Sequence, residues 1–182
     1  MQTTFVVHVE DQPGVLTRVT SLIRRRGFNI ESLTVGHTER QGVSRMTIVM
    51  DSDERAVPRI EANLYKLVNV ISVENISPKP VVFRDLAMIK VAATEASRGP
   101  IMQLVDVFRA RVVDVSPESL IIEITGTEDK IDGLLEILKP FGVIEVARTG
   151  CLAMSRGVSP RAAAAGPSGP ADSIDSSISF SV

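Results

Sequence analysis

Tryptophan is absent from this chain, tyrosine and cysteine each occur once, and there are two histidines. Aromatics total 4% against 44% hydrophobic residues, so the interior has to be aliphatic. That composition favours sheets and amphipathic helices, and it excludes the exposed aromatic platform of a sheet that stacks RNA bases. One cysteine, Cys151, cannot build an internal disulfide framework and fits a reducing compartment. His8 and His37 have no carboxylate or thiol at metal-ligand spacing, and Cys151 has no nucleophile motif around it. No glycine-rich phosphate loop or nucleophile elbow is present. A net charge of −2 gives little attraction for nucleic acid or anionic lipid. No apolar run approaches the roughly 20 residues of a membrane span, and Met1-Gln2-Thr3-Thr4 lacks the blocks of a signal peptide. The expectation is a cytoplasmic chain with no catalytic constellation, no nucleic-acid partner and no membrane contact.

What is present is a strand and helix order given twice. Phe5, Val7 and Val9 alternate as on a strand. Gln12-Pro13-Gly14-Val15 then reads as a type II turn, with proline fixing one central φ and glycine free to take a positive one. Val15, Leu16, Val19, Leu22 and Ile23 recur at helical spacing, and Gly27 supplies a left-handed cap. Strands are predicted at Glu31 to Val35 and Ser44 to Met50. A helix follows on Val57, Ile60, Leu64 and Leu67, with Pro58 in its first turn, and Val70 to Val73 is a closing strand. Ser77-Pro78-Lys79-Pro80 interrupts the pattern.

The same order returns as a strand at Ala87 to Ala92 and a helix on Ile101, Leu104, Val105 and Phe108. Strands at Val112 to Val115 and Leu120 to Ile124 come next, joined by Ser116-Pro117-Glu118. A helix capped by Thr127 carries Ile131, Leu134, Leu135 and Leu138, and Val143 to Val146 is the last strand. The fold class predicted is α+β, two ferredoxin-like βαββαβ domains in tandem. Their bounds are residues 1–77 and 85–157, with a linker over 78–84. Residues 158–182, rich in Ala, Ser, Gly and Pro, read as a disordered tail.

The strand-to-helix turn Glu10-Asp11-Gln12-Pro13-Gly14-Val15-Leu16 is the strongest candidate site. Free N–H groups at a helix start attract an anion, glycine admits a ligand close to the backbone, and Asp11 could hold an ammonium. Together those features suit a zwitterionic amino acid. The alternative is that Asp11 only caps the helix and Pro13-Gly14 only turns the chain. At the helix's other end, Asn29 either stabilises the turn after Gly27-Phe28 or reaches a ligand on a neighbouring subunit. Arg24-Arg25-Arg26 is either a solvated last turn that complements the dipole or a partner contact.

The turn from Glu10 to Leu16, followed by Arg24-Arg25-Arg26-Gly27-Phe28-Asn29-Ile30-Glu31-Ser32-Leu33, resembles the ACT domain, a ligand-binding module of amino-acid metabolism. More specifically, the chain is similar to the small regulatory subunits of acetolactate synthase (acetohydroxyacid synthase). Ser44-Arg45-Met46-Thr47-Ile48-Val49, Leu64 to Val70, Arg84 to Val91, Ile124-Thr125-Gly126 and Glu145 to Gly150 carry the likeness onward, from about Thr4 to Gly157. The resemblance implies an ACT domain in the first half and a homodimer through it, with valine bound between two chains. By position, Asp11, Gly14, Val15 and Leu16 of one chain would face Asn29 and Ile30 of the other, with Val35 at the apolar end. The Val15 and Leu16 amides would hold the ligand's carboxylate. It also implies a catalytic large subunit as partner, carrying thiamine diphosphate, Mg and FAD, which this chain would activate and place under feedback inhibition. No cofactor is expected on this chain. Many members carry Asn where this chain has Asp11, which bears on affinity, since a charged side chain must be desolvated to bind. Two other readings share the fold: an ACT regulator that senses another amino acid for a different partner enzyme, and an acylphosphatase-like hydrolase, which Asp11 disfavours by repelling phosphate.

Overall fold

A computed structural model describes residues 1–53 and 55–157; the predicted tail, 158–182, lies outside the described residues. The first half folds as β1 (Gln2–Glu10), α1 (Val15–Arg25), β2 (Ile30–His37), β3 (Val43–Asp51), α2 (Val57–Leu64) and β4 (Val70–Asn75). Its sheet is antiparallel, in the order β2-β3-β1-β4. Alternation puts Phe5, Val7 and Val9 of β1 and Met46, Ile48 and Met50 of β3 on one face. There they bury against Val15, Val19 and Ile23 of α1 and Ile60 and Leu64 of α2. Each fully buried aliphatic side chain contributes about 1.5–3 kcal/mol, and this periodic match fixes the register of sheet and helices together.

Both ends of α1 follow from their residues. The Val15 N–H donates to the Gln12 carbonyl at 3.3 Å, and Gly14 sits at φ 83°, ψ −6°, the third position of a type II turn. At the other end Gly27 takes φ 77°. The Gly27 and Phe28 amides donate to the Arg24 and Ile23 carbonyls at 3.0 and 3.3 Å, a Schellman closure. α2 is shorter than its apolar spacing suggests. It stops at Leu64, and Leu67 packs on the core from a following turn.

The second half contains β5 (Val81–Ala92), α3 (Glu95–Val107), β6 (Arg111–Ser116), β7 (Ser119–Gly126), α4 (Glu128–Leu138), β8 (Val143–Arg148) and β9 (Leu152–Ser155). The antiparallel order is β6-β7-β5-β8, with β9 on the leading part of β5. Two expectations change here. Residues 81–84, read as linker, are strand, paired with 152–155. Thr127 sits at the start of α4, but its hydroxyl makes no capping bond; the capping box belongs to Thr94 and Ser97 at α3.

The β5–β9 ribbon lies on the face of the first sheet that the helices leave open. Val6, Ile76 and Ala153 bury together there, with Val81 against them. Arg45 Nη2 donates to the Ala153 carbonyl at 2.5 Å, and the Cys151 N–H donates to Ser32 Oγ at 2.8 Å. A side chain on Gly150 would meet the Leu33 carbonyl oxygen at 2.8 Å. The helix face, with the strand-to-helix turn, stays clear of this junction.

Candidate functional site

The first amides of an α-helix have no partner inside it. At α1 the turn takes up the Val15 N–H, and no side chain caps the helix. Among the described residues, the Leu16 and Thr17 amides meet no backbone or side-chain acceptor. Two donors and the positive end of the helix dipole therefore point outward beside Gly14, a ready site for an anionic oxygen. The Val15 amide, expected among the donors, is the one already engaged, and its side chain is 3% exposed within the core. Thr17, one residue beyond the expected set, replaces it.

Asp11 does not cap the helix. Ser44 Oγ donates to its Oδ1 at 3.1 Å, and His37 Nδ1 lies 3.2 Å from its Oδ2. Its own N–H donates to the Gly42 carbonyl at 2.9 Å, which fixes the loop. β2 runs two residues past the strand predicted at Glu31 to Val35, so His37 ends it, directly across from Ser44 in the ladder. Since a carboxylate has about four lone-pair directions and these neighbours use two, Asp11 retains acceptor capacity for a cation.

The helical wheel places the apolar part. At 100° per residue, Arg18 and Leu16 flank the buried stripe of Val15, Val19 and Ile23 on opposite sides. Arg18 Nη1 donates to Asn69 Oδ1 at 2.6 Å, just before β4. Leu16 consequently overhangs the β2 side. Val35 shares the helix face of β2, because its ladder partner is the buried Met46. Leu16 is 41% and Val35 42% exposed. Leu16 of α1 and Val35 of the edge strand β2 are thus two half-exposed branched side chains.

Asn29 and Ile30 sit at the far end of α1, past its 11 residues, or about 16 Å away. Asn29 is exposed, and Ile30 opens β2, packed in part on the core. Within one chain, then, Asp11 and Gly14 lie at the start of α1, Leu16 and Val35 are half-exposed, and Asn29 and Ile30 lie past the other end of the helix. Two concavities lie elsewhere. One of about 630 Å³ borders Met1, Arg26, Asp53 and Arg59. Another of about 1000 Å³ runs between the two halves past Ser32, Asp85, Arg148 and Cys151. Neither includes Asp11 or Gly14.

Among the described residues, no cluster of three or more His, Cys, Asp or Glu side chains could hold a metal ion. No helix there is long and apolar enough to cross a membrane. His8 is half-buried on the opposite sheet face; burial, and then Arg45, lower its pKa from the ordinary histidine value. Burial, reinforced by Asp85, pushes the Cys151 thiol up to about 12, unlike a reactive cysteine.

Comparison with known proteins matches both halves. The family model for the AHAS small subunit-like ACT domain covers residues 5–72, and that for the small subunit of acetolactate synthase covers 84–157. A probable acetolactate synthase small subunit of Archaeoglobus fulgidus is 50% identical over 157 residues, 86% of this chain and 98% of that protein. The acetolactate synthase small subunit of Mycolicibacterium smegmatis is 51% identical over 154 residues, 85% of this chain and 91% of that one. The crystal structure of the acetolactate synthase small subunit from Thermotoga maritima superposes with a TM-score of 0.81 at 39% identity, covering 87% of this chain and 99% of its own. Sequence, paired domains and three-dimensional fold agree: this chain belongs to the family of acetolactate synthase small, regulatory subunits, with an ACT domain as its first half.

Proposed function

We propose that this protein activates an acetolactate synthase catalytic subunit and renders it sensitive to feedback inhibition by valine, bound where two ACT domains meet. The observation that carries this reading is the uncapped start of α1, with free Leu16 and Thr17 amides beside Asp11 and the half-exposed Leu16 and Val35. Amides suit a carboxylate, Asp11 an ammonium, and the two branched side chains an isopropyl group.

The sheet supports a place for the second chain. β2 is an edge strand, and a free edge pairs readily with a copy of itself. Two β2 strands meeting antiparallel about a point between Ser32 and Leu33 would set Ile30 of one chain opposite Val35 of the other. Asn29 would then lie opposite Gly36. That arrangement unites residues which one chain holds about a helix length apart, and would give a polar role to Asn29, an exposed residue of the single chain. Thiamine diphosphate, Mg and FAD belong, on this reading, to the catalytic partner.

Valine can bias the partner only through a difference in affinity between two arrangements of the regulatory dimer, commonly about 1–3 kcal/mol of coupling. The test is acetolactate formation by the catalytic subunit, with and without this protein and with valine. The expected result is higher activity with the protein and loss of that gain as valine is added. Activation without a valine response would leave a partner subunit with a different effector. Failure to bind or stimulate the catalytic subunit would refute the assignment.

A further inference from the structure

We infer that His37 is a positioning residue of the effector site, setting the charge that Asp11 offers to a bound amino acid and so making effector affinity depend on pH. The inference rests on the effector reading above and adds a residue and a behaviour to it. His37 Nδ1 lies 3.2 Å from Asp11 Oδ2, while Ser44 Oγ holds Oδ1 at 3.1 Å. An ionised carboxylate only accepts, so a neutral His37 has to present Nδ1–H to it. The imidazole then orients Asp11 and leaves its full negative charge for the ligand's ammonium. A protonated His37 supplies a competing cation at the same oxygen, and the ammonium faces a neutral pair.

The surroundings leave that exchange to these groups. Ser44, across the ladder, is uncharged. In the loop after His37, Glu39 and Arg40 pair with each other at 3.8 Å. Glu10, next to Asp11, accepts from Asn69 Nδ2 at 2.7 Å, and Arg18 of α1 is held by the same Asn69. Arg45 follows Ser44 but reaches the Ala153 carbonyl at the domain junction. The amino acid itself stays zwitterionic throughout the range in which a histidine titrates.

The test is calorimetric titration of the dimer with valine at about pH 5.5 and about pH 8, the first favouring an imidazolium and the second a neutral imidazole. The wild type should bind about fivefold to tenfold more weakly at the lower pH, the Boltzmann factor of one charge a few ångströms away in a water-rich site. His37→Gln should bind equally at both, and His8→Gln, which removes the chain's other histidine, should keep the wild-type difference. Asp11→Asn provides a second check, because it should weaken binding at the higher pH, where the ammonium loses its carboxylate partner. A wild-type Kd indifferent to pH, or a pH effect that survives His37→Gln, overturns this inference and leaves the effector site standing. No binding at either pH overturns the effector reading and this inference with it.

Discussion

Gly14→Asp tests the helix start most sharply, because the structure separates what the substitution costs the fold from what it costs the ligand. Gly14 sits at φ 83°, where a side chain is strained by about 1–2 kcal/mol and Asp is among the better tolerated. A Cβ there would meet nothing within 4 Å inside the chain. The chain should therefore still fold, melting about 2–8 °C lower at roughly 2–4 °C per kcal/mol. The new carboxylate, however, would stand in front of the Leu16 and Thr17 amides. Each charge-assisted hydrogen bond lost is worth about 1.5–3 kcal/mol, so one bond alone implies a tenfold to hundredfold rise in Kd. Gly14→Ala is the control, carrying the backbone strain without the charge. Calorimetry with valine should show binding retained in the Ala variant and lost in the Asp variant. Inhibition of the catalytic subunit should follow the same split, with activation kept in both. Normal valine affinity in a folded Gly14→Asp protein would refute the placement of the carboxylate at this helix.

Three further outcomes follow from other parts of the fold. Gly150→Ala would put a Cβ 2.5 Å from Thr34 Oγ1 and 2.8 Å from the Leu33 carbonyl. Prising the two halves apart there should cost about 1–3 kcal/mol, read as a lower urea midpoint; an unchanged midpoint would mean that the junction gives freely. His8 has its folded pKa depressed, by burial first and Arg45 second, so the unfolded chain binds its proton at a higher pH than the native one does. Its contribution to stability is complete above about 6.5 and is lost as pH falls from there towards the folded value. His8→Gln should flatten that part of the stability profile, measured by urea unfolding at successive pH values. Finally, Cys151, with its thiol pushed up to about 12, should react with a disulfide reagent at mildly alkaline pH far more slowly in the native protein than in urea. Equal rates would show the thiol to be free of its surroundings.

The fold was readable wherever local pattern and tertiary packing ask for the same thing. Phe5, Val7 and Val9 alternate because one sheet face is buried, and Val15, Val19 and Ile23 recur because one helix face lies on it. Pro13-Gly14 and Gly27 name their turns because few other residues take those backbone angles without strain. β9 was not readable: four residues, Leu152 to Ser155, acquire their meaning only from the strand beside them and the open sheet face beneath. The same contact makes strand of residues 81–84, which follow two prolines and look like linker. At the site, the chain order showed the free helix start but not who holds Asp11. Ser44 and His37 are 33 and 26 residues away in sequence, and only the β2–β3 ladder, with His37 across from Ser44, brings both to it. The signal that could have pointed to His37 is its place at the end of the alternating β2 pattern, on the same face as Leu33 and Val35.

The central claim is that one amino acid is held by two chains, with Asp11 and the α1 amides from one and Asn29 from the other. Co-expressing Gly14→Asp chains with Asn29→Ala chains under different affinity tags, and purifying the mixed dimer, tests it directly. Each variant homodimer should fail to bind valine. The mixed dimer should regain one site per dimer with near wild-type affinity, because one interface then unites two undamaged halves. A mixed dimer that binds no valine, or an Asn29→Ala homodimer that binds it normally, would contradict the account.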